Sequence, residues 1–140
     1  MKIVEAIHDY ISKCPYIKEF EVNVNYLEDK YDSYMIEETP CDPILERYID
    51  GSTLRQIEFV FASREVYTSD ILSNIDNSSF YEDFSNWIET NNINGVFPDL
   101  EEGLEATKIK VTSNAYCVEA DEDNARYQIN LRLEYMKGSR

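Results

Sequence analysis

Proton-transfer and nucleophilic chemistry most often recruits histidine, and this chain has a single one, His8, between Ile7 and Asp9. It adjoins the apolar stripe of the first predicted helix, so an ordinary packing or solvent role is expected. No GxSxG elbow, Walker-type loop or dinucleotide fingerprint occurs, and the 4 glycines are too scattered to cradle a phosphate. Among the carboxylates, the group best placed to hold a cation is Glu119, Asp121, Glu122 and Asp123 in the predicted last turn. It lacks the twelve-residue spacing and central glycine of an EF-hand, and a solvated turn is the expected outcome. Glu101, Glu102 and Glu105 are weaker still as ligands. Cys14, Cys41 and Cys117 are odd in number, without close pairing or CxxC spacing, and read as packing thiols. Arg126, Tyr127 and Arg132 interleave basic and aromatic residues. On an alternating strand, however, Tyr127 points away from both arginines, and no base-stacking platform results. No catalytic, cofactor-binding or metal-ligating set emerges, and the chain is expected not to be an enzyme.

Whatever the chain does must therefore come from surfaces. Asp and Glu number 28 against 13 Lys and Arg, a formal net charge of −15 in 140 residues. Nearly all of the excess lies in the first hundred residues. Such a surface argues against binding a phosphate backbone, which needs clustered Lys and Arg. Solubility is the simple account of the charge; the sharper one is an acidic passage through which DNA slides without sticking. With 43% hydrophobic and 13% aromatic residues, the chain has ample material for a core and is not a disordered acidic tail. No apolar run reaches the length of a membrane span. The opening MKIVEAIHDYISKC carries Glu5 and Asp9 inside its apolar pattern, so it reads as an amphipathic helix and not a signal peptide. A cytoplasmic protein is expected.

The elements that hold these surfaces follow from periodicity. Ile3, Val4, Ile7 and Ile11 lie at helical spacing, which predicts a helix over 2–14 stopped by Pro15. Phe20, Val22, Val24 and Tyr26 alternate with polar residues as in a half-wet strand, and a charged turn at 28–32 leads to a strand around Tyr34 and Ile36; together these predict a hairpin. Pro40, Pro43 and Asp50-Gly51 predict linker and turn over 37–51, with Ile44, Leu45, Tyr48 and Ile49 covering the sheet or forming a short strand. A long strand is expected over 53–67. Ser69-Asp70 and Ser78-Ser79 are both plausible helix starts, and Phe80, Phe84, Trp87 and Ile88 form the apolar face of a helix ending near 91–95. Residues 96–106 read as a long acidic loop. A strand carrying Ile109, Val111, Ala115 and Cys117 then turns at 119–124 into the most regular strand, with Ala125, Tyr127, Ile129, Leu131, Leu133 and Tyr135 on one face. The expected fold is α+β: a single domain over 1–140, mainly an antiparallel sheet with two main helices packed on one face.

Three stretches in this order carry a resemblance: ETPCDPILERYIDGSTLRQIEFVFASRE (38–65), SDILSNIDNSSFYEDFSNWIE (69–89) and ARYQINLRLEY (125–135). Together they resemble the phage minor-capsid and tail-terminator (tail-completion) proteins of Gram-positive phages and phage-tail-like particles. The resemblance implies a subunit that closes into a ring, commonly a hexamer. That ring caps the tail tube, stops its polymerisation and offers a head-joining surface. The implied partners are other copies of the chain, the tail tube protein and a head-completion or collar protein. No membrane, cofactor or specific nucleic-acid binding is implied, though DNA would pass through the ring. Assembly would take place in the host bacterial cytoplasm, and the protein would finish at the head-proximal end of the virion tail. Head–tail connector, tail-like bacteriocin component, and acidic inhibitor of a basic host protein remain open beside this reading. The expected contact residues are the scarce cations Arg55, Arg64, Arg126 and Arg132, with Glu101, Glu102, Asp121 and Asp123 as carboxylates for a neighbour's cations.

Overall fold

The computed structural model describes residues 2–17, 22–24, 33–66, 71–120 and 124–138. In chain order these form α1 (Ile3–Ser12), β1 (Val22–Val24), β2 (Ser33–Thr39), β3 (Ile44–Arg47), β4 (Thr53–Val66), α2 (Ile71–Asn94), β5 (Leu104–Val111), β6 (Tyr116–Ala120) and β7 (Asn124–Lys137). The α+β class read from the sequence is what the structure has. One 7-stranded sheet runs in the order β1-β2-β4-β7-β5, with β3 beside β4 and β6 beside β7. Its spine is the antiparallel pairing of β4 with β7, in register from Thr53↔Lys137 to Val66↔Asn124.

Side-chain alternation on these two strands decides where the core lies. Phe59 and Phe61 of β4 point to the same side as Ile129, Leu131 and Leu133 of β7, and all five are buried. Ile7, Tyr10 and Ile11 of α1 and Tyr81, Phe84 and Ile88 of α2 join them in one cluster. Phe61 is its centre, with its ring stacked on Phe84 at a centroid distance of 4.7 Å and on Tyr34 at 5.8 Å. Burying each such side chain contributes about 1.5–3 kcal/mol, so this face supplies much of the drive to fold. Phe80 and Trp87, expected inside the stripe, lie at its margin, while Tyr81 takes an inner position. Gly95 ends α2 with φ 72°. Around it, the Val96 N–H donates to the Asn91 carbonyl at 2.8 Å and the Gly95 N–H to the Asn92 carbonyl at 3.4 Å. This is the left-handed cap that glycine adopts without steric cost.

Several boundaries differ from the sequence reading. β1 pairs parallel to β2 (Val22↔Tyr34, Val24↔Ile36), so the two are not a hairpin. Alternation reports which side of a strand is wet and carries no information about its direction. Within the predicted linker, β2 reaches Thr39 and Ile44–Arg47 form the short strand that was one of the two expectations for this segment, while Leu45, Tyr48 and Ile49 are exposed. α2 runs unbroken from Ile71 through Ser78-Ser79, because serine lowers helix propensity only slightly. The acidic loop ends earlier than expected, since 104–106 already pair with β7. β5 and β6 are separate strands, broken where the Thr112 N–H donates to the Asn130 carbonyl at 2.8 Å and the Ser113 hydroxyl accepts from the Asn130 N–H at 3.1 Å. The turn at 28–32, Tyr67, Ser69-Asp70 and Asp121–Asp123 lie outside the described residues.

Candidate functional site: the helix-free sheet face and the open edges

The alternation that sends the odd residues of β4 and β7 into the core sends the even ones to the opposite face. No described helix covers that face. Gln56, Glu58, Val60, Ala62 and Arg64 line it from β4, and Arg126, Gln128, Asn130, Arg132 and Glu134 from β7. Met35 and Glu37 extend it onto β2, Glu46 onto β3, and Glu105, Lys108 and Lys110 onto β5. Met35, Val60 and Ala62 are buried here, flanked by longer polar side chains whose aliphatic stems can cover apolar surface. Arg64, Lys108, Lys110, Arg126 and Arg132 share this face with Glu37, Glu46, Glu58, Glu105 and Glu134. Two of its ion pairs are loose. Arg126 Nη2 lies 3.9 Å from Glu37 Oε2, and Arg132 Nε lies 3.4 Å from Glu134 Oε2.

Hydrogen bonding on the same face is incomplete. Among the described residues, the side-chain polar atoms that are buried yet lack a hydrogen-bond partner are Gln56 Oε1, Arg126 Nε, Asn130 Oδ1 and Arg132 Nε. Every one belongs to β4 or β7 and sits on the helix-free side. Arg132 Nε is close enough to Glu134 for Coulomb attraction but makes no hydrogen bond to it. Folded proteins satisfy nearly all such atoms, which makes their concentration on one face informative.

The sequence-nominated residues divide between two places. Arg64, Arg126 and Arg132 share the helix-free face. Arg55 points to the other side, where its Nε donates to Thr53 Oγ1 at 3.0 Å. There it lines a cleft of about 330 Å³ together with Glu101, Glu102, Tyr135 and Lys137. Burial pushes the Tyr135 hydroxyl up, and the nearby Arg55 charge partly opposes this. Burial likewise raises Tyr10 and the Cys14 thiol, both packed in the core. Asp121 and Asp123 lie outside the described residues, and the structure places neither. His8 Nδ1 lies 3.5 Å from Asp9 Oδ1 on the exposed side of α1. Among the described residues, no group of three or more His, Cys, Asp or Glu side chains converges as a metal site requires.

Among the described residues, no further strand pairs along the outer edges of the sheet. β1 and β3 flank it on one side, β5 and β6 on the other. The outer side of β5 is partly closed by α2, because Asn92 Oδ1 accepts the Ile109 N–H at 3.1 Å. β3 and β6 carry exposed apolar side chains instead: Leu45, Tyr48 and Ile49 on and just after β3, and Tyr116 and Val118 on β6. β3 pairs with the Thr53–Arg55 end of β4, whereas β6 pairs with the Ala125–Gln128 end of β7. The two apolar edges thus occupy diagonally opposite corners of the sheet. Gln56, Asn130 and Val118 were not among the residues nominated from the sequence. The regular alternation of β7 was the signal for Asn130; nothing marks Gln56 or Val118 before the strand pairing is known.

Comparison with protein-family models and with curated proteins gives no match.

Proposed function

We propose that this chain is a structural subunit of a phage or phage-like tail, acting as the tail terminator that closes into a ring on the end of the tail tube. In that role it stops tube polymerisation and offers the surface to which the head-completion protein binds. The reading draws on the resemblance of 38–65, 69–89 and 125–135. It is supported on the structural side by one observation: two unlike open edges, β3 and β6, each bearing exposed apolar residues, at opposite corners of one sheet. A ring of identical subunits requires two different surfaces that fit each other, and head-to-tail contact closes the circle. Strand edges meet this need because their unpaired N–H and C=O groups can extend a neighbour's sheet. Such a function proceeds by stoichiometric assembly and requires no active site.

Negative-stain electron microscopy of tails formed with the gene present and deleted tests the reading. Overlong or headless tails on deletion, with defined length restored by complementation, are the expected result. Normal, head-bearing tails in the deletion strain would remove the assignment.

A further inference from the structure

Ring closure through the edges makes no use of the cleft beside Arg55. We propose that this cleft binds a small organic monocarboxylate, received by Arg55 and Tyr135 at its floor and by Lys137 at its mouth. The inference is independent of the tail reading.

The register of the two long strands brings the donors together. Arg55 stands opposite Tyr135, and Lys137, two residues on, stands opposite Thr53. All four side chains project to the same side of the sheet, about 7 Å apart along a strand and about 5 Å apart across it. Long side chains at these spacings can reach one common group. Thr53 is buried, and its Oγ1 accepts from Arg55 Nε at 3.0 Å, which holds the guanidinium in place and leaves its terminal nitrogens. Among the described residues those nitrogens make no ion pair or further hydrogen bond, and neither does the Lys137 ammonium. Tyr135 is only 8% exposed, yet it lines the cleft. Its hydroxyl is not sealed from solvent and has no hydrogen-bond partner among the described residues. A deeply set hydroxyl and a held guanidinium, both open to one cleft, are the convergent polar groups that recognition of a carboxylate needs.

The surroundings narrow the ligand. At about 330 Å³ the cleft lies at the lower end of ligand sites, which span roughly 300–1,000 Å³. Ile3 and Leu104, packed against the margin of the core, give it an apolar wall suited to an organic body. Glu101 and Glu102 line it as well, but both are exposed, as are Gly103 and Lys137, so these residues form the mouth. Carboxylates standing in water are screened and tolerate a single negative charge passing them; they oppose a phosphate dianion more strongly. A monocarboxylate with a short apolar body meets both conditions. It is either a free acid or the C-terminus of a peptide, and the test separates the two.

The full chain, ¹⁵N-labelled, is titrated with hexanoate and with the tripeptide Gly-Gly-Leu, each beside its own primary amide, and with inorganic phosphate. The Arg55 Nε–H resonance and the backbone amides of Gly103 and Leu104 are followed. The expected result is a saturable shift with at least one acid and none with the amides or phosphate. Tighter binding of hexanoate assigns a free acid, and tighter binding of Gly-Gly-Leu assigns a chain terminus. Arg55→Gln and Tyr135→Phe are each expected to weaken binding about tenfold, as loss of one charge-assisted hydrogen bond implies. Should Arg55→Gln fold poorly, Tyr135→Phe and the comparison of acid with amide on the unaltered chain decide. Absence of a saturable shift with either acid overturns the proposal. So does equal binding of the amides or of phosphate, or an affinity that neither substitution changes. Loss of tail termination on gene deletion bears on the ring alone and is read separately.

Discussion

At the scale of single residues, the most consequential polar group inside the core is Ser63, fully buried on the helix side of β4. Its hydroxyl bonds Tyr81 of α2, and the Tyr81 hydroxyl donates in turn to the Tyr127 carbonyl of β7 at 3.1 Å. A short chain of hydrogen bonds thus ties both central strands to the helix above them. Removing one member of a buried pair costs more than removing both, since the survivor keeps its desolvation penalty. Tyr81→Phe is expected to lower stability by about 1–3 kcal/mol by stranding the Ser63 hydroxyl. Adding Ser63→Ala to that variant should restore part of the loss, so the double change costs less than the sum of the singles. Urea unfolding of the four proteins measures this. Strict additivity would mean that the two hydroxyls do not depend on each other in the fold.

At the scale of elements, the two long strands were legible and the short ones were not. β4 and β7 alternate over many residues with a wet face and a dry one, so their pattern could be read without knowing their partners. The direction of β1, the break between β5 and β6 and the pairing of β3 are set by tertiary contacts that leave no periodic trace. The helix-free face was half legible: Arg126 and Arg132 stood out as rare cations, but Gln56, whose Oε1 lacks a partner, joins them only through the register of β4 on β7. The protection of β5 was likewise invisible, because Asn92 and Ile109 lie in different elements. Asn92 presents its carbonyl oxygen to the outward N–H of Ile109 from the last turn of α2. It both anchors the helix end and blunts an edge that could otherwise template another strand. Asn92→Ala is therefore expected to cost about 1–3 kcal/mol in a chemical melt, as a part-buried backbone donor loses its partner. It should also increase concentration-dependent self-association in sedimentation velocity. A variant with unchanged stability and unchanged sedimentation would show that the contact does neither job.

At the scale of the whole molecule, the question is how subunits that each carry a charge of −15 come together. Like-charged copies repel over roughly a Debye length, about 8 Å at physiological salt, so their contact must be short-range and apolar or hydrogen-bonded. The corners at β3 and β6 fit this description, with Leu45 and Ile49 on one and Val118 on the other. Because the corners differ, damage to either one should have an asymmetric consequence. Copies with Leu45→Lys and Ile49→Lys lose the β3 corner but retain an intact β6 edge, and copies with Val118→Lys retain the β3 corner. Neither variant alone can propagate a head-to-tail contact. Mixed together, they can form one contact through the two undamaged corners and must then stop. Under conditions where the unaltered chain forms rings, on tail tubes or at raised salt, the mixture is expected to give pairs and no rings by mass photometry. Rings formed by either variant alone would place the contact elsewhere on the molecule. Pairs formed by one variant alone would mean that the interface is two-fold symmetric, joining like surface to like, and a surface of that kind cannot by itself build a ring larger than a dimer.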